Sequence, residues 1–140
     1  DPVSYEDSLL KMATTTHKEV LGLDKPDEVA ALENNIPADT IIKQVLDQMQ
    51  SGSDSDLTQM ITAYKQQDLP GLYKIITSSR TLGDGLDQFL DDRNKNWLPR
   101  MRVYMTKSSV FFAVGAGHLW GDNGLISLLR QQGYTVVPWK

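Results

Sequence analysis

The sequence predicts an α/β fold, built from parallel-strand βαβ units that carry a helical insertion. One observation is the run Val110 to Val114, mostly β-branched or aromatic, which reads as a buried strand. A Gly-rich turn holding His118 follows it, then an apolar-periodic helix ending at Gly133, then the β-branched run Tyr134 to Pro138. A second observation is Lys18 to Asp24, which reads as a strand stopped by Pro26. A third is the pair of helical stripes in mid-chain, which predicts the insertion. Strand, helix, strand order implies parallel strands, because a crossover helix returns the chain to the same end of the sheet.

Within one domain, the chain divides into a strand-helix segment at 1–36, a helical insertion at 37–82, and a long helix with the terminal βαβ unit at 83–140. Tyr5, Leu9, Leu10 and Met12 are spaced for a short opening helix. Pro26 suits the start of a helix over Asp27 to Glu33. Ile41, Ile42, Val45, Leu46 and Met49 form one apolar stripe, and Leu57, Met60, Ile61 and Tyr64 another, with Ser51-Gly52-Ser53-Asp54 as the turn between them. Pro70-Gly71 breaks the chain before a third short helix with Leu72, Tyr73, Ile75 and Ile76. The last long helix, about Asp84 to Lys107, repeats Leu86, Phe89, Leu90, Trp97, Met101, Tyr104 and Met105 at helical spacing, and Pro99 marks a kink or restart.

At 140 residues, 40% hydrophobic and 23% charged, the composition suits one globular domain with a real core. A net charge of −4 and a pI near 5.0 argue against a nucleic-acid surface, which needs clustered Lys and Arg. The nearest such cluster, Arg93, Lys95, Arg100, Arg102 and Lys107, is preceded by Asp91 and Asp92. No apolar run reaches the roughly 18 residues of a membrane span. Without cysteine there is no thiol nucleophile, thiolate metal site or disulfide. Opening on Asp1-Pro2-Val3 rather than methionine predicts a processed, cleaved or partly represented protein.

Three residues stand out for chemistry. His118 is expected at the carboxyl end of a strand, where ligands bind in open α/β sheets, and glycines at 115, 117 and 121 leave room beside it. The same imidazole could instead cap the next helix or face solvent. Asp24 is expected at a second strand end, on the same rim, or as the cap of the helix after it. Arg93 falls inside an apolar stripe, four residues after Phe89 and four before Trp97, so its charge calls for a carboxylate, backbone carbonyls or a ligand anion. Asp24 is one candidate for that carboxylate. Asn94, Trp97 and Trp120, with Arg93, are the candidate substrate-binding residues.

Arg93-Asn94 with Trp97 and Pro99-Arg100-Met101, the strand Phe111 to Gly115, Gly115-Ala116-Gly117-His118-Leu119, Gly124-Leu125 and Gly133 to Val136 together resemble the TraB/GumN family, which includes the Tiki metalloproteases. Lys18 to Asp24 also looks like that family's central strand. The likeness covers nearly the whole chain and corresponds to about the carboxyl-terminal half of a two-half α/β domain. It implies a metal-dependent hydrolase, most simply a peptidase, whose functional set is two Gly-x-x-His motifs, a glutamate and an arginine. Gly115 and His118 match the second motif, Arg93 the arginine, and Asp24 falls at the glutamate position, shorter by about 1.5 Å. His17, the other histidine, has no glycine three residues before it.

By this resemblance His118 and Asp24 are the candidate metal ligands, and Mn²⁺ or Co²⁺ is implied as the cofactor, with Zn²⁺ as a further candidate. His118, Arg93 and Asp24 form the expected catalytic set. Two protein donors are fewer than a catalytic zinc site uses, so an amino-terminal segment of the same protein is the expected source of the rest. The expected partners are a peptide or small-molecule substrate and, as an option, a second copy of the chain. The family likeness implies export to the periplasm or cell envelope. A non-catalytic protein that holds a peptide or small ligand in the same cleft is the competing expectation.

Overall fold

The computed structural model describes residues 4–34, 37–40, 42, 46, 54–78 and 86–139. Its helices are α1 (Tyr5–Thr15), α2 (Pro26–Asn34), α3 (Asp54–Lys65), α4 (Leu69–Ser78), α5 (Leu86–Lys107) and α6 (Leu125–Gln131), with a 3-10 turn at Ala116–His118. The predicted stripe Ile41 to Met49 lies largely outside the described residues, as do the turn at 51–53 and the start of the long helix at Asp84.

Local chemistry accounts for the helix ends. Ser4 caps α1 by accepting the Asp7 N–H, and Glu6 and Asp7 place negative charge at its positive end. Pro70 and Gly71 fall inside the first turn of α4 rather than ahead of it, because proline is tolerated where no helical N–H bond is needed. Asp68 accepts the Gly71 N–H there. Pro99 sits within α5 on an exposed face, where water can satisfy the carbonyl it leaves without a partner, so the helix runs through it.

α5 organises the packing. Leu90, Asn94, Trp97 and Met101 are buried at intervals of four, three and four residues, which is one face of a helix. The amino-terminal half of that face joins Ala63, Leu72 and Ile76 from α3 and α4. The carboxyl-terminal half joins Leu125 of α6, with Leu23, Phe112, Val114 and Leu129 packed around it. At about 1.5 to 3 kcal/mol per fully buried large apolar side chain, these two clusters hold α5 between the mid-chain helices and the terminal segment.

The α/β expectation is corrected. Among the described residues there is no strand, so the parallel βαβ units are not formed. Residues 18–22, 109–115 and 134–139 carry no regular secondary structure. Alternation does sort their side chains: Phe112 and Val114 pack against the Trp97 cluster, while Ala113 between them is exposed and Phe111 before them is 78% exposed. Period-2 patterning specifies which side chains face a core, whereas a strand also needs a neighbour to take its N–H and C=O groups. The last segment gives its polar groups to α6 instead. Tyr134 N–H donates to Leu129 O, and Arg130 donates to Val136 O.

Candidate functional site

The Gly-x-x-His spacing has a local structural meaning. His118 N–H donates to Gly115 O at 3.0 Å, the i to i+3 bond that closes the 3-10 turn. That turn places the imidazole against α5, where it is 5% exposed. Gly117 lies beside Ile76, with no space between them for a side chain without a shift.

The imidazole is held by Asn94, itself 1% exposed. The Asn94 Nδ2 donates to His118 O at 3.2 Å and to Asn123 O at 2.9 Å, which fixes the amide orientation. Its Oδ1 therefore faces His118 Nδ1 at 2.8 Å as an acceptor. The proton belongs on Nδ1, and Nε2 carries the lone pair. Nε2 is the ring nitrogen that Asn94 leaves unengaged. Burial, followed by the Arg93 charge, pushes the His118 pKa down to about 4, against the opposing pull of Asp24. At neutral pH the ring is uncharged.

Trp97 joins the imidazole to the charged part of the site. Its ring centroid is 4.3 Å from that of His118 at an interplanar angle of 39°, and the Arg93 guanidinium carbon is 4.8 Å from the Trp97 centroid. The same carbon lies 5.3 Å from the Phe89 centroid. Arg93 meets the carboxylate it called for in Asp24: Nη2 donates to Oδ2 at 2.7 Å and Nε to Oδ1 at 3.3 Å. Trp97 Nε1 also donates to Asp24 Oδ1, at 2.7 Å. Burial would raise the Asp24 pKa, but these hydrogen bonds and the Arg93 charge outweigh it and hold the carboxyl below its ordinary value. Asp24 thus looks across to α5 instead of capping α2.

The structure brings together Asp24, Arg93, Asn94, Trp97 and His118, by docking a bend and a turn onto α5 rather than by aligning strand ends. Asn94 is turned inward to the imidazole. Trp120 is partly exposed, and no ring contact joins it to the other site residues. His17 is exposed in a left-handed turn with φ 52°.

Two supporting groups went unread in the sequence. Arg100 donates to Leu23 O at 2.6 Å and pairs with Glu28, which fixes the bend bearing Asp24. Asn123 donates to Asp91 Oδ2 at 2.6 Å while its carbonyl receives Asn94. The signal for Arg100 was present: it lies seven residues after Arg93, on the same helical face.

Can these residues hold a divalent ion? His118 Nε2 is a suitable donor. Asp24 Oδ1 already accepts two hydrogen bonds and Oδ2 one. No group of three His, Asp or Glu side chains placed for a metal occurs among the described residues. They do not complete a metal site, which uses three or four protein ligands.

A helical scaffold presenting a buried, tautomer-fixed histidine beside an Arg–Asp pair defines the class to which this chain can be compared. The model of the TraB/PrgY/gumN family matches residues 1–138, and the chain belongs to that family. No match was found among curated proteins or among solved structures. No helix of the described residues is long and apolar enough to cross a membrane.

Proposed function

We propose that this chain contributes part of the active site of a metal-dependent hydrolase acting on peptides, with His118 as its chemically active residue. The observation that carries this reading is the Asn94 hydrogen bond to His118 Nδ1. It leaves a neutral imidazole with an unprotonated Nε2, the form that ligates a divalent ion or takes a proton from water. The chain belongs to the TraB/PrgY/gumN family, and the hydrolase class is what its resemblance to TraB/GumN proteins implies.

In this reading Mn²⁺, Co²⁺ or Zn²⁺ is the cofactor, and most of its ligands come from outside the described residues. Asn94 orients the imidazole. Trp97 packs on the ring and limits its motion. Asp24 accepts from Arg93 and from the Trp97 indole, and Arg93 supplies the positive charge beside the reacting group. The test is calorimetric titration of each metal into the full chain and into His118→Ala, with peptide hydrolysis measured in parallel. Saturable binding that disappears with His118→Ala is the expected result. Metal binding unaffected by that substitution overturns the role given to His118.

A second reading, a peptide- or small-ligand-binding protein without hydrolysis, is favoured by the shortage of metal donors. Ligand binding without metal binding or turnover in the same titrations would select it.

A further inference from the structure

We infer that Arg93 and Trp97 form a carboxylate-binding site, that Asp24 is its resident occupant, and that the carboxylate of a peptide ligand takes the same place by exchange. In naming a peptide as the ligand this rests on the hydrolase reading. The exchange itself rests on the donor geometry.

Three N–H groups converge on one carboxylate: Arg93 Nη2 at 2.7 Å, Arg93 Nε at 3.3 Å and Trp97 Nε1 at 2.7 Å. A guanidinium edge with an adjacent indole N–H satisfies both oxygens of a carboxylate and discriminates against a neutral amide, which would turn its own N–H₂ toward one of the donors. The donors are built in advance. Both belong to α5, Trp97 is buried, and the guanidinium rests over the Trp97 and Phe89 rings.

The acceptor is held differently. Arg100 holds the backbone of the bend at Leu23 O, so only the Asp24 side chain moves in the exchange, and that side chain is 37% exposed. Arg93 itself is 24% exposed, so a carboxylate from solution has a path to the donors. Withdrawal of Asp24 leaves a rigid cationic donor set, whereas withdrawal of Arg93 would dismantle a packed helix face. The exchangeable partner is therefore Asp24. A tethered occupant competes at high effective concentration, so a free carboxylate binds the native chain weakly unless other contacts add to it.

Acetate is the simplest probe, with acetamide as its neutral counterpart. Each is titrated at pH 7 and constant ionic strength while the Trp97 indole N–H is followed by NMR. The proteins are the native chain, Asp24→Ala, Asp24→Asn as a variant that preserves side-chain size, and Asp24→Ala combined with Arg93→Met. Acetate is expected to bind Asp24→Ala at least about tenfold more tightly than the native chain, with a smaller gain in Asp24→Asn and loss in the double variant. Acetamide is expected to move the resonance in none of them.

Equal acetate affinity in the native chain and both Asp24 variants overturns the inference, as does an equal response to acetamide. A tripeptide with a free carboxyl terminus, its amidated form, and an amidated peptide bearing one glutamate then distinguish a terminal from a side-chain carboxylate. Acetate exchange is read at the Trp97 indole without added metal, and metal binding by calorimetry without acetate, so this inference and the metal reading fail by separate measurements.

Discussion

Asn94 Oδ1 stands 2.8 Å from His118 Nδ1, and the other end of the same amide is committed to two backbone carbonyls. One fully buried side chain thus sets the imidazole's position, orientation and tautomer together. Asn94→Ala removes the three hydrogen bonds of a buried side chain and leaves a cavity, with an expected loss of about 3 kcal/mol in urea unfolding. Asn94→Asp retains the acceptor for Nδ1 but turns a carboxylate oxygen toward the two carbonyls. It is expected to destabilise the fold and to raise the His118 pKa, read from the imidazole NMR titration.

The pH dependence of stability follows from His118. Unfolded imidazole protonates near its ordinary value of 6.5, and the folded residue only near 4. Between these values the unfolded chain binds more protons, so this stability is complete above pH 6.5 and is lost as pH falls toward 4. The full contribution is at most about 3 kcal/mol. The lowered Asp24 pKa acts in the same sense at lower pH: its stabilisation is present above 3.8 and is lost as pH falls through the folded value. Urea midpoints between pH 4 and 8 should show the slope in the native chain and lose most of it in His118→Gln.

Asp24 and Arg93 should couple measurably in a double-mutant cycle. Both are partly solvated, at 37% and 24% exposure, so their interaction is screened and about 1 kcal/mol is expected for Asp24→Asn with Arg93→Met. Repeating the cycle in 1 M salt, where the screening length is about 3 Å, should reduce it. A coupling insensitive to salt would mean that packing on Trp97, rather than charge, links the two.

Two glycines separate space from backbone conformation. A Cβ on Gly124 would lie 2.3 Å from Trp120 O, so Gly124→Ala forces the main chain after His118 to move. About 3 kcal/mol of destabilisation is expected, with a displaced His118 resonance. Gly133 has φ 87° with nothing near its missing Cβ, so Gly133→Ala costs about 1 kcal/mol through conformation alone and leaves the His118 resonance unchanged. Equal effects on the His118 resonance would argue against the Gly124 contact as the seat of the turn.

The helices were legible because helical spacing alone specifies which residues meet, as Leu90, Trp97 and Met101 do. The strands were not, because Phe112 and Val114 tell which way side chains face but not whether another segment lies alongside. Arg93's partner could be inferred from the misfit of a charge on an apolar stripe. Asn94's task could not, since an amide's orientation depends on groups that sequence separates by 24 and 29 residues. Asp24 was read at a strand end and reached the site by another route, through Arg100 gripping the carbonyl before it.

Since Arg93, Asn94, Trp97 and Arg100 all ride on α5, their mutual placement is set by the pitch of a single helix. Changes in the length of the connections on either side of it leave that placement untouched. One residue inserted between Asn94 and Trp97 would swing everything beyond it by about 100°, carrying the indole away from the imidazole and Arg100 away from Leu23. Insertions and deletions within that short stretch are therefore the lesions that should erase the site while sparing the helix that bears it.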